Sequence, residues 1–161
     1  MDYGMLKDYE ETQDIPMWLK ALLTALPFII GGSAVVMILS HVPPRGMGYG
    51  MAALAVAMAW MAWLFRKLTI TIGGGVLGID YGPAHPRIKL ENIEWIAREP
   101  ITLGRYGGIG IRMGAGAVCY NTRFGEGVRI HVRDRKQDVV FTTDNPARVA
   151  LALGQQLRTE T

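Results

Sequence analysis

The chain has 161 residues with 50% hydrophobic and 19% charged side chains, a formal net charge of +3 and one cysteine, Cys119. One cysteine excludes an internal disulfide and any Cys-rich zinc site, and nothing in it argues for an oxidising compartment. The charges are segregated. Residues 1 to 20 carry two Lys against five Asp or Glu, a formal −3, residues 21 to 65 carry only Arg45, and residues 66 to 161 carry fourteen Lys or Arg against nine Asp or Glu, a formal +5.

Residues 1–17 read as an acidic N-terminal arm that could be drawn to the basic remainder of the chain. No basic region opens the chain, so the first apolar segment is expected to stay as an anchor and not to be cleaved as a signal peptide. Residues 18–65 read as a transmembrane helical hairpin, with helices over about 18–40 and 47–65. An uncharged helix of about nineteen residues spans roughly 28 Å, close to the hydrocarbon thickness of a bilayer. Pro43, Pro44 and Gly46 end the first helix and reverse the chain, and Pro27 is expected to kink it.

Lys20, Arg66 and Lys67 flank the two outer ends while Arg45 alone sits in the loop. That bias favours a multi-pass protein of the cell membrane with both termini in the cytoplasm. Trp18, Trp60, Trp63, Arg66 and Lys67 are then interfacial anchors at one membrane face. Small residues recur at Gly46, Gly50, Ala53 and Ala57, a spacing that lets helices approach closely in lipid. They serve either packing of the two helices on each other or docking onto another membrane subunit.

Residues 66–161 change to a period of two. Strands are expected over 68–72, 76–81, 87–90, 93–99, 109–113, 117–121, 127–133 and 138–142, with Gly, Pro or Asn between nearly all of them. Asp144-Asn-Pro-Ala147 then starts an amphipathic helix over about 145–158, with Val149, Leu151, Ala152 and Leu157 as its apolar positions. The expectation is an α+β membrane protein, in which a two-helix hairpin precedes a partly open antiparallel barrel closed by a helix.

The hairpin, the strand pair around Gly73, Ile88 to Ile96, Gly107-Gly-Ile-Gly-Ile-Arg112, Gly127-Val-Arg-Ile-His-Val132 and Thr142-Thr-Asp-Asn-Pro-Ala147 together resemble membrane-anchored bacterial proteins with a pleckstrin-homology-like (PH-like) domain. The resemblance covers about residues 66 to 158. It implies a PH-like antiparallel β-barrel with a C-terminal α-helix, and no catalytic residues. Fold alone does not give function.

The inventory of reactive side chains points away from an enzyme. Both serines, Ser33 and Ser40, fall in or beside the first apolar run, leaving no serine nucleophile for the soluble part. His41, His85 and His131 are far apart, and His41 is expected across the membrane from the other two, so they form no shared metal site. Glu91 and Glu94 read as solvated carboxylates, Cys119 as a packed thiol, and the Gly108 to Met113 stretch as turns and not a phosphate loop. No cofactor is expected.

Strand alternation from Val128 to Arg133 projects Arg129, His131 and Arg133 from one face, continued by Arg135 and Lys136 at the turn. Such a stripe suits an anionic lipid or an acidic partner, or is a solvated face. Nucleic acid is disfavoured, because no aromatic residues interleave the arginines. Two functions follow. One is a non-catalytic accessory or scaffold subunit that packs on a larger membrane complex, or on itself, through the hairpin and the PH-like domain. The alternative is a PH-like module that binds anionic lipid headgroups or a peptide at the cytoplasmic membrane surface.

Overall fold

A computed structural model describes residues 7–40, 45–133 and 135–154. The expected turn through His41, Pro43 and Pro44, the first residues of the acidic arm, and the helix end at 158 with Leu157 lie outside the described residues. The chain forms two compact units, a helical one over Ile15–Arg66 and a β-rich one built from the segments on either side of it.

In the helical unit, α1 spans Met17–Leu39 and α2 spans Arg45–Leu64. Both are long and apolar enough to cross a membrane. Ala34 is the only buried residue of α1, and Phe28, Ile29, Val35, Val36 and Leu39 are exposed, which is unlike the core helix of a soluble domain. Pro27 sits inside α1 without ending it. The hydroxyls of Thr24 and Ser33 donate to the carbonyls of Lys20 and Ile29, so neither faces an apolar environment unpaired.

The helices run antiparallel, because Gly48 lies against Ala34 and Ile38 while Ala55, further along α2, lies against Gly31, earlier in α1. The contact is close. A Cβ on Gly48 would come within 2.9 Å of Ile38 Cγ1, and one on Gly31 would be 3.7 Å from the Ala55 methyl. At the open end, Ile15 N–H donates to Arg66 C=O over 3.2 Å.

The β unit contains two sheets. Strands β1 (Lys7–Asp14), β2 (Lys67–Gly73), β3 (Val76–Tyr81) and β4 (Arg87–Lys89) make a four-stranded antiparallel sheet in that order. Leu68, Ile70 and Ile72 of β2 and Leu77, Ile79 and Tyr81 of β3 alternate into the core. A short 3-10 turn, Leu90–Asn92, leads to β5 (Ile93–Ile101), and a one-turn helix α3 (Leu103–Tyr106) follows it. Gly107 closes α3 in the left-handed region at φ 74°, donating its N–H to Leu103 C=O. Strands β6 (Gly110–Gly114), β7 (Ala117–Asn121), β8 (Gly125–Val132) and β9 (Asp138–Thr142) complete a second sheet, ordered β5-β8-β9-β7-β6.

Helix α4 (Pro146–Ala152) ends the described fold. The Asn145 side chain caps it by accepting from Arg148 N–H over 3.1 Å, and Pro146 occupies the first turn.

The expected antiparallel barrel needs correction. The strands do not form a closed barrel among the described residues, and they are not all antiparallel, since β7 and β9 pair in parallel. The reason is topological: β9 returns from β8 as a hairpin and inserts beside β7, which already runs opposite to β8. Part of the acidic arm belongs to the first sheet. From Lys7 to Asp14 it pairs with β2, placing Asp14 opposite Lys67.

One carboxylate ties β1 to the second sheet. Glu11 Oε1 accepts from Asp144 N–H at 2.7 Å and Gln13 Nε2 at 2.5 Å, and Oε2 accepts from Thr143 Oγ1 at 2.6 Å and Tyr9 Oη at 2.5 Å. Burial pushes the Glu11 carboxyl up, but these four donors outweigh it and hold its pKa below the usual carboxylate range. A depressed folded pKa stabilises the fold above the unfolded value of about 4.3, and the contribution is lost as pH falls through the lower folded value. Replacement of Glu11 by Gln should therefore cost about 1–2 kcal/mol at neutral pH and shrink the acid-side loss of stability, read from thermal melts of the full chain in mild detergent across pH 3 to 7.

Candidate functional site

Strand β8 presents Arg129 and His131 on the face opposite its buried Val128, Ile130 and Val132, as alternation requires, and Arg133 follows at its end. The charges there are not free. Arg129 Nε lies 2.6 Å from Asp138 Oδ2 on the neighbouring strand β9, and Arg129 Nη2 donates to Ala115 C=O over 3.1 Å. His131 Nδ1 lies 2.6 Å from Asp138 Oδ1, with Nε2 at 3.7 Å from Glu94 Oε2. Glu94 also takes Arg133 Nε at 3.2 Å.

The result is an alternating ladder, Arg129–Asp138–His131–Glu94–Arg133, that crosses β9, β8 and β5. The His131 ring stacks on Trp95, directly opposite it on β5, with centroids 5.6 Å apart and planes at 8°. Burial pulls the Arg129 guanidinium down, but its bond to Asp138 and that carboxylate's charge reverse the effect and hold its pKa above the ordinary value.

Arg129 and Asp138 are the enclosed pair, with side chains only 16% and 12% exposed. Arg129, His131 and Arg133 thus act as sheet cross-links. Arg135 and Lys136 differ: both are exposed on the β8–β9 turn and neither is ion-paired to a described residue. They rim a cleft of about 380 Å³ lined by Val118, Tyr120, Arg135, Lys136, Gln137 and Val139. Burial pushes the Tyr120 phenol up, and the nearby Arg135 charge partly opposes the shift.

The same face of the second sheet, further along β5, hides a carboxylate that hydrophobic patterning gave no reason to single out. The Glu99 carboxylate is fully buried on β5, accepting from Tyr106 Oη at 2.8 Å and meeting Arg105 Nε at 3.1 Å, both from α3. Burial and the Glu99 bond together push the Tyr106 phenol well up. Cys119 lies beside them in an apolar cluster with Ile101, Tyr106, Ala117 and Val140, and burial, then the Glu99 charge, raises its thiol to about 12.

A thiol held so high is no nucleophile at neutral pH. Glu99 Oε2, Asn121 Oδ1 and Thr142 Oγ1 are buried without a hydrogen-bond partner among the described residues. Glu99 and Thr142 both pair across Gly127, and the space above Gly127 is filled by Ile101, whose Cδ1 would lie 2.5 Å from a Cβ placed there.

In the helical unit, the expected packing residues lie on the other side of α2 from the contact. A Cβ on Gly46 or Gly50 would meet nothing beyond its own turn within 4 Å, and Ala53 and Ala57 are exposed, whereas Gly48 and Ala55 are buried against α1. At 3.6 residues per turn these two sets occupy opposite faces. Of the two roles expected for Gly46, Gly50, Ala53 and Ala57, the packing of α1 on α2 thus falls to Gly48 and Ala55 instead.

Trp18, Trp60 and Trp63 are exposed at the common end of the antiparallel pair, with the Trp60 and Trp63 rings 5.8 Å apart and the Arg66 guanidinium 5.6 Å over Trp63. Lys67, the fifth expected anchor, opens β2. No group of three or more His, Cys, Asp or Glu side chains among the described residues could hold a metal ion. No known protein family matches this chain, and neither the curated proteins nor the solved structures contain a match.

The ladder predicts a graded mutational response. Asp138→Asn strips the enclosed Arg129 of its carboxylate and should destabilise the β unit by about 3 kcal/mol, whereas Glu94→Gln, at an exposed pair, should cost less than about 1 kcal/mol, both read by chemical denaturation of the detergent-solubilised chain.

Proposed function

We propose that this chain is a non-catalytic, membrane-anchored accessory subunit that packs on a larger membrane complex, or on a second copy of itself, through its helical hairpin. The observation that carries this reading is the Gly46, Gly50, Ala53 and Ala57 stripe, which points away from α1 and lies exposed among the described residues. Small side chains on a lipid-exposed helix leave a shallow groove that lipid tails fill poorly and another helix fills well. The burial of Cys119 and the paired state of Arg129, His131 and Arg133 support a structural role for the β unit over a catalytic one.

In this reading both termini are cytoplasmic and the β unit is a PH-like domain. Its four-stranded antiparallel sheet, second sheet and capped helix after the last strand support that assignment, and the parallel β7–β9 pair departs from it. The connections between the units are short, with Ile15 and Pro16 between β1 and α1, and Phe65 and Arg66 between α2 and β2. Such tethers reach at most roughly 10 Å.

The stripe gives the test. Gly50→Leu with Ala57→Leu should shift the chain, in native gels after mild solubilisation, from a large assembly to a lone protomer while leaving its melting behaviour unchanged. Gly48→Leu should instead disturb the hairpin itself. Migration of the unaltered chain as a lone protomer would count against an accessory subunit.

A second reading, a module that binds anionic lipid at the membrane surface, is favoured by Arg135 and Lys136, exposed and without an ion-paired partner among the described residues. It predicts that native mass spectrometry of the full chain will retain phosphatidylglycerol in preference to phosphatidylcholine. Equal retention of the two lipids would remove this reading.

A further inference from the structure

The face of the second sheet that carries Val139 and Phe141 is buried at β9 but opens outward across β7 and β6. Val118 and Tyr120 on β7 are half-buried, and their cross-strand partners on β6 are Met113, 77% exposed, and half-buried Ile111. An apolar surface therefore leads out of the core towards an edge strand, and the cleft above Val118, Tyr120 and Val139 lies within it. Isolated exposed apolar residues need no explanation, but a contiguous set rimmed by polar groups marks a contact surface.

The rim is cationic. Arg135 and Lys136 stand at the cleft, and the carboxylates that quench the rest of the stripe are directed elsewhere, Asp138 to Arg129 and His131, Glu94 to His131 and Arg133. An apolar floor beside exposed cations with no ion pair to a described residue complements an amphiphile with an anionic head. It disfavours a second copy of the same surface, because the cations would face each other.

We infer that the surface formed by Ile111, Met113, Val118 and Tyr120, with Arg135 and Lys136, seats an anionic phospholipid at the bilayer surface, its phosphate between the two cations and its glycerol and upper acyl portion on the β6–β7 face. This inference rests on the second reading above and gives it a site distinct from the Arg129–His131–Arg133 ladder. The helical unit makes lipid the natural occupant. A chain carrying two helices able to span a membrane keeps bilayer lipid within reach at all times, whereas a soluble anion or peptide must be captured from solution. Long cationic side chains also suit the geometry, because their stems cover apolar surface while their heads reach phosphate.

The test uses the full chain carrying Met113→Cys, labelled with an environment-sensitive fluorophore, in nanodiscs of phosphatidylcholine alone or with one third phosphatidylglycerol. The buried Cys119 stays unlabelled while the fold is intact. The expected result is a blue-shifted, brighter emission only with phosphatidylglycerol, reversed by high salt. Arg135→Gln with Lys136→Gln should raise the phosphatidylglycerol content needed for the half-maximal change by roughly 30-fold, or abolish the change, whereas Arg133→Gln should leave it near that of the unaltered chain.

No spectral change alongside preferential phosphatidylglycerol retention in the mass spectrometer would overturn this site and leave the lipid-binding reading standing. Failure of both measurements would remove both. A change seen only in native membranes and never in pure lipid would assign the surface to a protein partner and overturn the proposal.

Discussion

The antiparallel pairing of β1 with β2 is the constraint on which the rest of the molecule depends. The two strands are adjacent in space but separated in sequence by the whole helical unit, with Asp14 opposite Lys67. Ile15 and Arg66 continue the contact at the start of the helical unit through a backbone hydrogen bond. The hairpin is thus an insertion between neighbouring strands, entered and left at one point. Closing so long a loop is costly in chain entropy. That cost is offset by the β1–β2 ladder and by the four bonds that Glu11 accepts, which hold the edge strand to the segment before α4.

Charge follows a similar logic in the second sheet. A row of basic residues on one strand face would repel itself, and β9 and β5 supply Asp138 and Glu94 at the positions where those charges can be shared. Neighbouring opposite charges stabilise a sheet, whereas like charges side by side weaken it. Arg135 and Lys136 lie beyond the last rung, exposed at the turn and without an ion pair to a described residue.

The helical unit divides its small residues between two tasks. Gly31, Ala34, Gly48 and Ala55 let α1 and α2 meet closely, and the Gly46, Gly50, Ala53 and Ala57 row lies on the far side of α2. A helix used on both faces in this way is suited to joining one neighbour in its own chain and another outside it, which is why the accessory-subunit reading rests on α2 more than on any feature of the β unit.

Much of the architecture was legible from residue patterning. The two apolar runs, the eight strands after them and the Asp144-Asn-Pro helix start all matched, because continuous apolarity, alternation of period two and proline in a first turn are local signals. β1 was not legible, since its inward positions include Glu11 and Gln13, which are satisfied by hydrogen bonds and leave no hydrophobic alternation to read.

Tertiary structure decided which strands became neighbours and which charges met. The insertion of β9 between β7 and β8, the pairing of Arg129 with Asp138 and the burial of Glu99 under α3 each join positions on different elements. The rotation of α2 was decided in the same way: two sets of small residues at similar spacing compete for the α1 contact, and only packing selects Gly48 and Ala55. By itself the sequence determined the two long apolar helices and the run of alternating strands after them, because those depend on near neighbours. Register between distant strands, and the sharing of a carboxylate by two bases, depend on geometry that exists only once the chain has folded.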